Sequence, residues 1–109
     1  MTIKIENILR VTTGATGSED FLTLFEENGV KIQRIVSHAS STPEQQWYDQ
    51  AYTEWVLVVR GHAVLEFEGG DRVKLNEGDY LAIPPHARHR VDETGPETLW
   101  LVVHLTAGA

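Results

Sequence analysis

The sequence predicts an all-β domain built as a sandwich or a small barrel. Short apolar segments recur at intervals of about 8–12 residues, glycine-rich turns separate them, and one segment alone has helical character. The 109 residues are 41% hydrophobic and 23% charged, the balance of one globular domain. We therefore expect a single domain over residues 1–109, with N-terminal strands and a short helix in 1–45 and the barrel in 46–106.

Six segments from residue 30 onward have the apolar pattern of β-strands. They are Val30–Ser37, Trp55–Val59, Ala63–Phe67, Arg72–Leu75, Tyr80–Ile83 and Leu99–Leu105. The Glu68-Gly69-Gly70-Asp71 sequence between two of these strands is a strong hairpin-turn signal, and Asn76–Asp79 predicts a second turn.

The one predicted helix follows Ser18, whose side chain can cap its first turn. Glu19 and Asp20 would lie in that turn, where carboxylates interact favourably with the helix dipole. The Asn28-Gly29 pair would end the helix. Its apolar face would consist of Phe21, Leu22, Leu24 and Phe25.

Two predicted strands, Trp55–Val59 and Leu99–Leu105, are apolar on both faces. Because one face of an antiparallel barrel strand looks outward, the outward side chains of Trp55, Leu57 and Val59 need to be covered. A second subunit is the simplest cover, so we expect a homodimer. The N-terminal strands and the helix are the alternative cover.

Charge and composition exclude several kinds of partner and site. The formal net charge of −7 is opposite to that of a nucleic-acid-binding surface and unfavourable for an anionic membrane. The chain has no cysteine, which excludes disulfides, thiolate metal sites and cysteine nucleophiles. Its first residues lack the features of a signal peptide and no run is long enough to span a membrane, so we expect a cytoplasmic protein.

Two spaced motifs in the second half of the chain suggest a family. Glu54 is followed after six residues by Gly61, and Gly78 is followed after five residues by Pro84 and then by His89. This pair resembles the two motifs of the cupin family. The resemblance implies a jelly-roll barrel, also called a double-stranded β-helix, whose strands carry metal ligands. It does not imply one reaction, because this barrel hosts many chemistries.

The chain departs from the cupin pattern at several ligand positions. The family's first motif begins with two histidines, and those places fall within Trp47–Gln50, where no histidine occurs. His86 stands where the second motif has a glycine. Of the usual three histidines and one glutamate, the resemblance leaves Glu54 and His89, so any further ligands must come from neighbouring polar residues.

Strand alternation indicates which neighbours of Glu54 could replace the missing ligands. If Glu54 points into the barrel, Gln50 shares its face, and so do Tyr48 and Tyr52, which would line the pocket. Gln50 would then be a ligand through its amide oxygen. A β-bulge would instead turn Asp49 inward, so both residues remain candidate ligands.

His86 and His89 have opposite strand parity and reach one point only if Pro85–Arg88 forms a turn. The two adjacent prolines favour such a turn. Histidine also tolerates the positive φ of a glycine position better than most residues do. His104 lies in the apolar last strand, where a core or interface histidine is the simpler interpretation.

A set of two histidines, Glu54 and either Gln50 or Asp49 would suit zinc, iron, nickel or manganese. We therefore expect a divalent metal and a small-molecule ligand, in an enzyme of oxygenase, isomerase or lyase type. Glu54 could act as a catalytic base if it is not a ligand. The alternative is a metal-free pocket in which these groups hydrogen-bond one another and bind a small ligand without catalysis.

Overall fold

The computed structural model describes residues 1–106, which form eight β-strands and no helix. None of these residues therefore belongs to a helix long and apolar enough to cross a membrane. The strands are β1 (Glu19–Glu27), β2 (Val30–Ser37), β3 (Thr53–Arg60), β4 (Ala63–Phe67), β5 (Arg72–Leu75), β6 (Tyr80–Ile83), β7 (His89–Thr94) and β8 (Thr98–Leu105).

The strands form two antiparallel sheets, one of five strands in the order β1-β2-β8-β3-β6 and one of three in the order β5-β4-β7. Most neighbours in a sheet are distant in sequence, as in Greek-key and jelly-roll folds. Apolar side chains from both sheets form the core, namely Val56, Val58, Ala63, Leu65, Leu75, Ile83, Trp100 and Val102. The last of these strands, β8, lies between β2 and β3 and so pairs with two strands that are distant from it in sequence.

The predicted N-terminal helix is wrong, because this segment is strand β1. It pairs with β2 along its whole length, and Asn28 and Gly29 form the turn between them with φ values of 47° and 81°. Positive φ at both positions of an Asn-Gly pair is typical of a tight hairpin, which overrides the weak helical pattern. A bulge between Thr23 and Phe25 disguises the strand's alternation.

The other predicted strands are confirmed. Val30–Ser37, Ala63–Phe67, Arg72–Leu75 and Tyr80–Ile83 have the predicted bounds. The strand predicted at Trp55–Val59 begins two residues earlier and ends one residue later, and the one predicted at Leu99–Leu105 begins one residue earlier. Strand β7 was not predicted, since its six residues include a single aliphatic side chain, Val91. This strand nevertheless pairs with β4 and carries His89.

The outward side chains of Trp55, Leu57 and Val59 are half-buried. Trp55 packs against Tyr80, with ring centroids 5.5 Å apart. Arg34 of β2 and Leu57 of β3 both lie opposite Leu101 of β8, so the two side chains share one face of the sheet. Arg34 donates hydrogen bonds to the carbonyl oxygens of residues 8 and 10, at 3.3 and 2.8 Å. The chain's own N-terminal segment thus supplies part of the cover for this face.

Candidate functional site

A cavity of about 200 Å³ lies between the two sheets. Most of its wall is apolar. Two histidines cluster around the carboxylate of Glu54, and a second lining carboxylate, that of Glu19, lies apart from them and accepts a hydrogen bond from the Ser37 hydroxyl at 2.9 Å. The residues that line it are Glu19, Phe21, Gln33, Ile35, Tyr48, Gln50, Glu54, Val56, Leu65, Ile83, His89, Val91, Trp100, Val102 and His104. An apolar pocket with a few convergent polar groups is the usual form of a small-molecule site.

Glu54 is held between two histidines that come from two other strands. It lies directly opposite His104 in the β3–β8 ladder, and its Oε2 is 2.6 Å from His104 Nε2. Its Oε1 is 3.6 Å from Nε2 of His89, which begins β7. The side chain of Glu54 is 13% exposed and that of His89 is 4% exposed, so water screens this cluster poorly.

The backbone fixes the orientation and the tautomer of His89. Its Nδ1 is 2.8 Å from the carbonyl oxygen of Ala87, and because a carbonyl only accepts, Nδ1 must donate. A neutral His89 therefore presents the Nε2 lone pair to the carboxylate of Glu54. Two lone pairs at 3.6 Å repel each other unless a proton or a metal cation lies between them.

The electrostatics favour the charged forms of both groups. Burial alone would raise the pKa of Glu54, but its interactions with His89 and His104 outweigh burial and hold the pKa below its ordinary value. Burial alone would lower the pKa of His89, but Glu54 and the bond to Ala87 raise it above its ordinary value. Positive charge is thus stabilised next to an ionised carboxylate.

Two of the predicted neighbours support this cluster in different ways. Gln50 lines the cavity, as the alternation from Glu54 predicts. The ring of Tyr52 packs on that of His104, with centroids 4.6 Å apart, rather than lining the cavity. Burial and the charge of Glu54 raise the pKa of Tyr52, outweighing the opposite effect of its hydrogen bond with Gln50.

Tyr48 also lines the cavity and ties the segment before β3 to β7. Its backbone N–H donates to the His89 carbonyl at 2.7 Å, and the His89 N–H donates back at 3.1 Å. The rings of Tyr48 and Phe67 lie 5.7 and 5.9 Å from that of His89. His89 is therefore held by both its backbone and its side chain.

The structure does not bring Asp49 and His86 to the cavity. Asp49 lies between two residues that line the cavity and points away from it, because extended backbone alternates its side chains. His86 adopts the positive φ expected at a glycine position, 62°. Its Nδ1 is 2.8 Å from Asp49 Oδ1 in a pair whose side chains are 68% and 47% exposed.

His104 is the site residue that sequence reasoning missed. Its place at the end of an apolar strand favours a core or interface histidine, whereas the structure puts it at the cavity beside Glu54. The available signal was parity, since Trp100, Val102 and His104 fall on one face of β8 and all line the cavity. Its proximity to Glu54 follows from the β3–β8 register, which the sequence does not reveal.

The polar side chains around Glu54 have the chemistry of divalent-metal ligands, although the distances between them are those of a hydrogen-bonded network. Two imidazoles, a carboxylate and the Gln50 amide oxygen suit a borderline metal ion. The bond from His89 to the Ala87 carbonyl is the kind that orients a metal-ligating histidine. Within residues 1–106, however, no three His, Asp or Glu side chains are already disposed as a metal site. A metal would have to displace the proton between His104 and Glu54.

Comparison with solved structures supports the cupin-type barrel. A candidate mannose-6-phosphate isomerase from Ralstonia eutropha JMP134 superimposes with a TM-score of 0.88 and 42% sequence identity, over 95% of this chain and 99% of that one. A cupin superfamily protein from Desulfitobacterium hafniense DCB-2 has a TM-score of 0.74 and 18% identity, over 87% of this chain and 84% of that one. The second likeness shows the fold alone.

Sequence comparison identifies a family and an enzyme that is less similar in sequence than the Ralstonia protein. An acireductone dioxygenase from Bacillus pumilus (strain SAFR-032) is 30% identical over 91 residues, which are 65% of this chain. The chain spans 52% of the length of that relative. The family described as "Cupin domain" matches residues 33–104, which include most of β2 through most of β8 and all three members of the Glu54 cluster. This chain therefore belongs to the cupin family.

Proposed function

We propose that this protein binds a divalent metal and a small organic molecule in the barrel cavity and is a metal-dependent enzyme acting on that molecule. The observation that carries the proposal is the orientation of His89, whose Nε2 lone pair faces the carboxylate of Glu54 at 3.6 Å. A cation between these atoms would remove their repulsion. Glu54, His89 and His104 would hold the metal, and the amide oxygen of Gln50 would be available as a further ligand.

The chain's own residues would prepare the site for a substrate. A metal bound there would polarise a substrate oxygen as a Lewis acid. Tyr48 and the Ala87 carbonyl fix His89, and Tyr52 packs against His104, so both imidazoles are pre-oriented. If Glu54 is released from the metal, its ionised carboxylate could instead accept a proton from the substrate.

The cavity indicates the size and charge of its ligand. A volume of about 200 Å³ corresponds to about six or seven water molecules. Among the described residues that line the cavity there is no lysine or arginine, the usual partners of a phosphate group. We therefore propose a small, non-phosphorylated ligand with one oxygen-bearing end near Glu54, and do not transfer the phosphosugar substrate implied by the name of the Ralstonia protein.

Metal content tests the first half of the proposal. Purified protein is incubated separately with Zn²⁺, Fe²⁺, Ni²⁺ or Mn²⁺, desalted and analysed by plasma emission. We expect about one equivalent of at least one metal, lost in Glu54→Gln and in His104→Ala. His62→Ala is the matched control, because His62 lies 3.7 Å from Glu93 in an exposed pair outside the cavity. Wild-type protein that retains no metal would contradict the proposal.

A metal-free binding pocket is the second candidate, and the 2.6 Å bond between His104 and Glu54 favours it. In that case an imidazolium at His89 supplies the positive charge that neutralises Glu54. The protein would then bind small neutral probes such as phenol equally well with and without a chelator, as measured by isothermal titration calorimetry. Binding of mannose 6-phosphate in preference to phenol would contradict the proposed ligand class under both candidates.

A further inference from the structure

We propose that the cavity has a second polar subsite, formed by Glu19 and the rings of Phe21 and Trp100, which binds an ammonium group. The ligand is then a small, elongated amine whose oxygen-bearing end lies near Glu54. This subsite rests on the proposed function, because it belongs to the same cavity, and it adds the charge and the shape of the ligand.

Buried residues of two other strands orient the carboxylate of Glu19. Its Oε2 accepts a hydrogen bond from the hydroxyl of Ser37, which is fully buried, and the indole N–H of Trp100 donates to the Ser37 oxygen at 3.1 Å. Because an indole N–H can only donate, Ser37 accepts this bond and directs its own proton to Glu19. The Ser37 bond uses one of about four lone-pair positions of the carboxylate, so Glu19 can still accept hydrogen bonds from a ligand.

The charge of Glu19 has no cationic partner in the part of the chain that the structure describes. None of the ion pairs within residues 1–106 includes it. Both histidines of the cavity wall lie beside the other carboxylate, that of Glu54, at 2.6 and 3.6 Å. The end of the cavity at Glu19 is therefore negative, which favours a cationic ligand group and disfavours an anionic one.

Two aromatic side chains lie near Glu19 in the cavity wall. Phe21 is two residues further along β1 and therefore on the same face of the strand. Ile35 of β2 lies opposite Phe21, and Trp100 of β8 lies opposite Ile35, so the two rings belong to one row across the sheet. The face of an aromatic ring attracts cations. An ammonium group could thus pair with the carboxylate and contact the rings, whereas a hydroxyl would gain the hydrogen bond alone.

The two carboxylates lie toward opposite ends of the cavity. Through strand pairing, Glu19 aligns with Thr98 of β8, whereas Glu54 aligns with His104 of the same strand. These two positions are six residues apart on β8, which corresponds to about 20 Å of extended strand. A ligand that approaches both carboxylates within a cavity of about 200 Å³ must therefore be a narrow chain with a polar group at each end.

Two probes of equal length test the ammonium subsite by isothermal titration calorimetry at low ionic strength. The amino alcohol 8-amino-1-octanol carries an ammonium group at pH 7, and 1,8-octanediol has a neutral hydroxyl in its place. We expect the wild type to bind the amine at least about fivefold more tightly than the diol, and Glu19→Gln to remove this preference. Glu27→Gln is the matched control, because Glu27 is an exposed residue of the same strand and does not line the cavity.

The aromatic part of the subsite is tested with the same probes. Phe21→Leu keeps an apolar side chain but removes the ring, so we expect the preference for the amine to fall about twofold. Phe25→Leu is its control, since Phe25 is exposed on the same strand and outside the cavity. An equal loss of preference in both variants would overturn the contribution of the Phe21 ring.

Metal content, measured on the same wild-type sample, separates the ammonium subsite from the proposed metal site. A preference for the amine that depends on Glu19, in protein that retains no metal, would support the subsite and overturn the metal proposal alone. Equal affinity of the wild type for the two probes would overturn the subsite. A preference that survives Glu19→Gln, or no binding of the amine at millimolar concentration, would overturn it as well.

Discussion

Two histidines three positions apart, His86 and His89, have different roles because the backbone between them turns. His86 has a φ of 62° in the turn and reaches outward to Asp49, whereas His89 begins β7 and is buried against Glu54. The cupin spacing singled out His89 as a candidate metal ligand, and in the structure its Nε2 lies 3.6 Å from Glu54 Oε1. The positive φ at His86 was also expected from its glycine position, but the direction of its side chain depends on the turn's geometry.

Substitutions at His86 should separate backbone strain from side-chain interactions. His86→Gly relieves the positive φ and removes only an exposed ion pair, so we expect the free energy of unfolding to be unchanged or raised by up to about 1 kcal/mol. His86→Val places a β-branched residue at the same φ, and we expect a loss of more than about 1 kcal/mol. Urea denaturation measures both, and equal stabilities would refute this account.

At the scale of secondary-structure elements, strand pairing decides the structure of segments whose local sequence pattern is ambiguous. The Glu19–Glu27 segment has caps and apolar spacing compatible with a short helix, yet the Asn28-Gly29 turn and eight paired positions make it a strand. β7 was missed for the opposite reason, since its polar sequence gives little strand signal. The remaining strands were predictable because turns bound them and their apolar residues alternate or run continuously.

The turn between β3 and β4 requires glycine for two physical reasons. Gly61 has a φ of 90°, and a Cβ there would lie 2.8 Å from the carbonyl oxygen of Glu97, before β8. Gly78 has a φ of 87°, but a Cβ at this position would meet no atom within 4 Å. Substitution of Gly78 therefore measures the energetic cost of the positive φ alone. We expect Gly61→Ala to lower the free energy of unfolding by at least about 1 kcal/mol more than Gly78→Ala in urea denaturation. Equal losses would show that the contact with Glu97 relaxes without cost.

Asp92 on β7 links the two outer strands of the smaller sheet, β5 and β7, through ion pairs with arginines. Its carboxylate accepts hydrogen bonds from Arg72 of β5 at 3.0 Å and from Arg90 at 2.8 Å. Burial alone would raise the pKa of Asp92, but these arginines outweigh burial and hold the pKa below its ordinary value of 3.8.

A lowered pKa means that the stabilisation by Asp92 is present above the unfolded-state pKa and is lost as the pH falls through the folded-state value. Asp92→Asn should therefore lower the free energy of unfolding by about 1–3 kcal/mol at pH 7. The difference from wild type should shrink below about pH 4. Urea denaturation across pH 3–7 measures it, with Asp71→Asn as an exposed control. A difference that grows as the pH falls would contradict the assignment.

At the scale of the whole molecule, the homodimer expected from the apolar outer face of β3 would link stability to association. If the folded chain dimerises, mass action stabilises the native state as the protein concentration rises. We therefore expect the melting temperature, followed by circular dichroism, to increase over a hundredfold concentration range. A melting temperature that does not change over this range would argue against a dimer of the folded chain.

The sequence by itself determined the all-β class, most strand bounds and the motif positions of Glu54 and His89, because these depend on local alternation, turn residues and fixed spacings. It also placed Gln50 and Tyr48 on the face of Glu54 through the period of an extended chain. Only the tertiary structure decided that His104 completes the cluster and that Asp49 and His86 pair outside it. The physical reason is register. Strands β3, β7 and β8 are joined by long-range backbone pairing and by packing of the two sheets, and local sequence patterns do not fix how those strands align.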